Sequence, residues 1–78
     1  MEKNSYINQS ITRAIKVLET LSQEKGTISI AELGKKVGLH KSVVHRILVT
    51  LEEAGWIEKD EADGKYHLGL GILSIASS

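Results

Sequence analysis

Apolar residues recur at intervals of three and four over most of the chain and at intervals of two over a short stretch near its end. Ile11, Ala14, Ile15, Leu18 and Leu21 keep the first spacing, which gathers them on one stripe of a helix. Ser10 offers that helix an N-cap, its hydroxyl accepting from an amide of the first turn, and Gly26 is its expected end. A second helix is predicted from Ser29, because Ser29 and Glu32 have the spacing of a capping box. Ile30, Leu33 and Val37 form its apolar stripe, and Glu32, Lys35 and Lys36 lie off it. Gly38 ends it, since glycine enters the left-handed conformation of a C-terminal cap without a side-chain clash. Leu39, the one apolar residue of the following turn, is expected to fill the angle between two helices. The third helix is predicted over residues 40–54, with Gly55 as its terminal glycine. Its Val44, Ile47, Leu48 and Leu51 share roughly a third of the circumference at about 100° per residue, so they face a core.

Past Gly55 the period changes. Residues 55–59 alternate as a strand, Asp60 to Gly64 break the pattern, and residues 65–68 form a second strand. Asp63-Gly64 is a hairpin signal, and residues 27–29 have room to add a short third strand. The fold class is therefore mainly α with a small β-hairpin: a winged helix-turn-helix, made of a three-helix core plus a wing. Residues 1–9 read as an N-terminal arm and residues 10–68 as the winged domain. Residues 69–78 read as the start of a linker helix, because the apolar run from Ile72 to Ala76 needs a packing partner in a further segment or a second subunit. That run is too short to span a membrane. Seventy-eight residues hold one small domain, burying roughly 60% of its unfolded surface.

Gly34 lies inside the second helix, where glycine costs about 1 kcal/mol relative to alanine. Either two helices cross too closely there for a larger side chain, or it is an incidental glycine on an exposed face. Trp56 and Tyr66 read as core or hinge-packing residues, since two rings do not make a platform for stacked bases.

Charge changes the picture only once it is divided. Ten basic and ten acidic residues cancel over the whole chain. From Ser29 to Arg46, however, Lys35, Lys36, Lys41 and Arg46 stand against Glu32 alone. From Glu52 to Asp63 six acids stand against Lys59. The basic segment suits a phosphate backbone, although a solvated charged face accounts for the charge equally well. The acidic wing tip, with Asp60, Glu61 and Asp63, would repel phosphate, so the wing is expected to add little to affinity.

The outward side of the third helix carries Ser42, Arg46, Val49 and Glu53, flanked by Val43, His45 and Thr50. Base edges in a major groove ask for such a mixture of donors and small apolar groups. Candidate DNA-binding residues are Lys35, Lys36, Lys41, Ser42, Val43, His45 and Arg46. Lys41 and Ser42 are placed for a phosphate or a base at the helix N-terminus, Arg46 for guanine, His45 for a base or phosphate, and Val43 for a thymine methyl. Lys35 and Lys36 would hold the flanking backbone, and Arg13 suits a phosphate or a structural ion pair.

Catalysis has little to build on. His40 and His45 stand roughly 140° apart on a helix and share no metal face. Cysteine is absent, and no glycine-rich phosphate loop is present, Gly69-Leu70-Gly71 being too sparse to count as one. No enzyme activity, cofactor or metal is expected. Without a disulfide framework or export signal, the expected location is cytoplasmic, with no membrane association.

Ser10 to Ala14, Ile30 to Leu33, Gly38 to Leu48, Leu51 to Ile57 and Tyr66 to Gly69 together resemble the N-terminal DNA-binding domain of the isocitrate lyase regulator (IclR) family of bacterial transcription factors. The likeness runs from about Ile7 onward, with lysine-serine and histidine-arginine pairs at the family's spacing. His40 replaces a proline common at its position, and Val43 a common threonine. The resemblance implies a regulator that binds double-stranded operator DNA as a homodimer or homotetramer. It also implies a C-terminal domain, beyond these residues, that senses a small-molecule effector. The alternative class is a winged-helix protein-protein interaction module without DNA binding, in which the acidic side from Glu52 to Asp63 makes the contact.

Overall fold

The computed structural model describes residues 3–78, so the first two residues of the arm lie outside the described residues. A 3-10 turn over Lys3–Tyr6 leads into α1 (Gln9–Ser22). Then come α2 (Ile30–Val37), α3 (Lys41–Glu53), β1 (Ile57–Lys59), β2 (Tyr66–Leu68) and α4 (Leu70–Ala76). The winged helix-turn-helix expected from the spacing is the fold observed.

The core draws one or two residues from each element between α1 and β2 and none from α4. Val17 and Leu21 come from α1, Leu33 and Val37 from α2, Val44 and Leu48 from α3, with Ile28, Ile57 and Tyr66 from the sheet side. Burying each large aliphatic chain contributes about 1.5–3 kcal/mol, which anchors α1, α2 and α3 by one face each. α3 follows its predicted stripe, with Val44 and Leu48 buried and Ile47 and Leu51 packed at the margin. α1 does not: Ile11 and Ile15 are 58% and 49% exposed, and Val17 takes the buried place.

Helix ends follow side-chain chemistry. α1 begins one residue before Ser10, because Asn8 is the N-cap, its Oδ1 accepting from the Ile11 amide at 3.2 Å. It ends at Ser22 rather than near Gly26. There the Thr20 and Ser22 hydroxyls donate to the Lys16 and Glu19 carbonyls at 2.8 and 2.6 Å, and the closing backbone bonds tighten to three-residue spacing. Such local bonds compete with further helix. α2 is capped as predicted by Ser29, whose Oγ accepts from the Glu32 amide at 3.1 Å, although no return bond from the Glu32 carboxylate forms among the described residues. Gly38, at φ 71°, ends it in the left-handed conformation.

Gly34 resolves in favour of the close crossing. It is buried, and a Cβ there would stand 3.2 Å from the Leu39 carbonyl oxygen, which accepts no side-chain adjustment. Leu39 is half-buried against the core, in the angle predicted for it.

The wing is shorter than its sequence pattern. Gly55 and Trp56 lie in the turn that closes α3, where the Trp56 amide donates to the Leu51 carbonyl at 3.0 Å, so β1 starts only at Ile57. β1 and β2 pair antiparallel, with Glu58 opposite His67 and Lys59 opposite Tyr66. The third strand is reduced to one bridge, Ile28 to Tyr66, closed by bonds of 3.0 and 2.9 Å. Among the described residues no helix is long and apolar enough to cross a membrane.

Candidate nucleic-acid interface

The helix-turn-helix presents α3 by burying its opposite face. Val44 and Leu48 are fully enclosed, whereas Lys41, Ser42, His45, Arg46 and Val49 are exposed. Val43 stands apart from these: it is half-buried at the edge of a groove between α1 and α3. Less of its methyl surface is open than the helical projection implies.

The start of α3 is built by a histidine. His40 is the N-cap, and its Nδ1 accepts from the Ser42 amide at 3.3 Å and lies 3.0 Å from the Ser42 hydroxyl. Accepting at Nδ1 places the ring hydrogen on Nε2. The Ser42 amide is thus already engaged, while the Val43 and Val44 amides donate to the His40 carbonyl at 3.0 and 3.1 Å. An anion at this helix end would meet the Lys41 ammonium and amide and the His40 Nε2–H rather than a full set of free helix amides. Helical spacing alone does not reveal His40, because a histidine cap follows from no periodicity.

Arg46, His45 and Lys41 make no side-chain hydrogen bond or ion pair among the described residues. Three exposed donors without internal partners leave their full capacity for an external acceptor. Arg46 also lines the α1–α3 groove, which Arg13 borders from the other side. Arg13 has no carboxylate partner among the described residues, so the ion pair considered for it does not form with any of them. The groove has a volume of about 520 Å³ and a mainly apolar lining that includes Ile11, Ile15 and Trp56.

Lys35 and Lys36 occupy the last turn of α2, where a positive charge interacts favourably with the helix dipole. Their situations differ. Lys35 is exposed with no partner among the described residues, whereas the Lys36 Nζ lies 2.8 Å from Glu24 Oε2. That hydrogen bond, and then the charge of Glu24, raise the Lys36 pKa above 10.5, with Glu32 adding a smaller attraction. Lys36 therefore keeps its charge at neutral pH, and any stabilisation from the pair is complete below about 10.5 and lost as pH rises beyond it.

The wing tip uses two of its three acids, Asp60 and Asp63, internally. Asp60 Oδ1 accepts from the Ala62 amide at 2.8 Å, and Asp63 Oδ1 accepts from the Lys65 amide at 2.9 Å. Thr27 Oγ1 adds a longer bond of 3.4 Å to Asp63 Oδ2. The turn is a four-residue loop over residues 61–64, closed by Asp60 and Lys65, rather than the two-residue turn that Asp63-Gly64 suggests. Lys59 lies over the Tyr66 ring, 5.9 Å from its centre.

Comparison with known proteins agrees with this fold. Residues 10–61 match the model of the IclR helix-turn-helix domain. The chain is 34% identical over 67 residues to the HTH-type transcriptional regulator XynR of Escherichia coli, covering 86% of this chain and 27% of that protein. It is 31% identical over 70 residues to the transcriptional repressor IclR of the same organism, covering 90% of this chain and 26% of that protein. The crystal structure of an IclR-type transcriptional regulator from Alicyclobacillus acidocaldarius superposes with a TM-score of 0.87 at 27% identity, over 92% of this chain and 29% of that one. The chain thus spans about a quarter of the length of the curated relatives it matches. With the matched model covering most of α1, all of α2 and α3 and the first wing strand, the chain belongs to the IclR helix-turn-helix domain family.

Proposed function

We propose that this chain binds double-stranded operator DNA sequence-specifically, with α3 in the major groove, as the DNA-binding part of a metabolite-responsive bacterial transcriptional regulator. The observation that carries the reading is the exposed row Lys41, Ser42, His45 and Arg46 on a helix whose other face is fully buried. Arg46 reads guanine, His45 donates to a base or phosphate, Lys41 and Ser42 hold the helix N-terminus against the backbone, and Val43 offers the part of its methyl surface that remains open. Lys35 and Lys36 hold flanking phosphates. The role is binding rather than catalysis, and it is carried out where bacterial DNA lies, in the cytoplasm.

The regulator works as a homodimer or homotetramer, with a small-molecule effector bound on a further domain joined through α4. Relatives about four times as long, named as transcriptional regulators and repressors, support the further domain in this reading. Paired copies would set two α3 helices about 34 Å apart and select a palindromic site.

Titration of random-sequence and selected duplexes at low and moderate salt tests the reading. Specific binding should weaken steeply with salt as phosphate contacts release counterions. Arg46→Ala should relax selection at one base pair. Undetectable duplex binding at low salt by the folded chain, or selection unchanged by Arg46→Ala, would remove α3 from the role.

A further inference from the structure

The sparse pair Gly69 and Gly71 brings the chain beyond the wing into backbone contact with the end of α3. The Gly69 amide donates to the Trp56 carbonyl at 2.7 Å, and the Gly71 amide donates to the Gly55 carbonyl at 2.9 Å. A Cβ on Gly69 would stand 2.5 Å from the Gly55 oxygen and 3.2 Å from the Ile57 nitrogen. One on Gly71 would stand 2.6 Å from the same oxygen and 2.8 Å from its carbonyl carbon. These neighbours are backbone atoms, so no rotamer change clears the space. Glycine is required at both positions by close approach, the second of its uses besides positive φ. Gly26 provides the contrast, with nothing within 4 Å of its Cβ position.

α4 depends on this joint. None of its residues is buried, and Leu70, Leu73 and Ile75 are 74%, 61% and 54% exposed. Its direction is therefore set at its first turn, by two hydrogen bonds and the contact on Gly55, rather than by packing along its length. Gly55 itself sits at φ 80° and is the residue that ends α3. The exit of α4 and the end of the helix carrying Arg46 share one backbone oxygen.

We propose that Gly69 and Gly71 are positioning residues that lock the direction of α4 to α3, so that two copies joined through α4 present their α3 helices at one separation and accept one half-site spacing. The proposal rests on the DNA-binding reading for its consequence, but not for the joint itself. Spacing between half-sites is a geometric property of the pair. A stiff joint transmits the geometry of the connection to the reading helices, whereas a loose one would let each reading helix find its half-site independently.

Residual dipolar couplings of backbone amides in the 78-residue chain test the joint directly. Couplings of α4 should fit the same alignment frame as α1 to α3 in the wild type and in Gly26→Ala. They should shrink in Gly71→Ala and Gly69→Ala while those of α1 to α3 persist. An α4 already averaged independently in the wild type overturns the joint, a result that needs no variant to fold.

The consequence is read by continuing the chain past Ser78 into a parallel two-stranded coiled coil and selecting sites from a random duplex pool. Wild type should return paired half-sites at one spacing, and Gly71→Ala the same half-site sequence at several. Retention of a single spacing by Gly71→Ala overturns the proposal, because a merely destabilised domain would lose affinity without broadening the spacing. Failure of the wild type to enrich any sequence overturns the DNA-binding reading, while the couplings still decide the joint.

Discussion

α3 and the wing are both exposed and both charged, but their polar groups are engaged in opposite ways. Arg46, His45 and Lys41 have no internal partner among the described residues, whereas Asp60 and Asp63 close the turn between the strands. α3 can leave the Arg46, His45 and Lys41 side chains unengaged because Val44 and Leu48 hold it from within. The wing has no comparable anchor at its tip, and its side chains must make the turn. Exposed charge is therefore a weak guide to partners until its internal bonds are known. The basic helix face is free to bind, and the acidic tip is largely a device of local structure.

The largest test of that contrast acts on the buried side of α3. Leu48→Ala should cost about 2–5 kcal/mol, the range for emptying an enclosed leucine site. For a domain of this size that is a large part of total stability, and urea unfolding would show it as a lowered midpoint. A loss below about 0.5 kcal/mol, the level of ordinary surface substitutions, would mean that α3 is not held from within as described. Arg46→Ala should leave the midpoint nearly unchanged yet cost about 1–3 kcal/mol in binding to a selected duplex, concentrated at one base pair. Equal losses on all duplexes would reassign Arg46 to the phosphate backbone.

Legibility in the sequence follows the same division. α3 was readable on both faces, Val43 apart, because its apolar arc is narrow and is matched by partners within this chain. α1 has a broader arc: at about 100° per residue, Ile11 and Ile15 lie at one edge and Val17 at the other. Periodicity marks the arc but not the edge that neighbouring elements cover, and the fold covers Val17 and Leu21. The capping serine of α2 and Gly34 at the helix crossing were legible because each meets a local or steric demand. His40 as a cap, the Asp60 and Asp63 turn bonds and the Lys36–Glu24 pair were not, since each requires knowing which atoms the completed fold brings within 3.5 Å. The glycines after the wing were visible as residues, but their reason lies in the Gly55 carbonyl, more than ten residues earlier.

On the wing, Asp63→Ala should cost about 0.5–1.5 kcal/mol in folding stability through the lost bond to the Lys65 amide. Duplex affinity should not fall, because the substitution also removes a negative charge. Thermal unfolding and duplex titration on the same variant separate the two effects. A fall in duplex affinity with no loss of stability would give the wing tip a direct part in binding, reversing the contrast with α3.

The smallest effect is expected where the two kinds of engagement meet, at Lys36. Its ammonium is held by Glu24 at 2.8 Å, yet half of the Lys36 side chain remains exposed. Exposed pairs of this kind contribute little to stability, so Glu24→Gln should leave unfolding almost unchanged. The substitution frees Lys36 for phosphate and removes a neighbouring negative charge, so duplex binding should strengthen slightly at low salt and the gain should fade as salt screens it. Lys36→Ala should act in the other direction, weakening all sequences alike and reducing the slope of log affinity against log salt by about 1. If Glu24→Gln leaves the low-salt affinity unchanged while Lys36→Ala still lowers the slope, the lysine already leaves Glu24 for phosphate when DNA binds. If neither substitution changes binding, Lys36 belongs with the wing aspartates, as a charge whose purpose is internal.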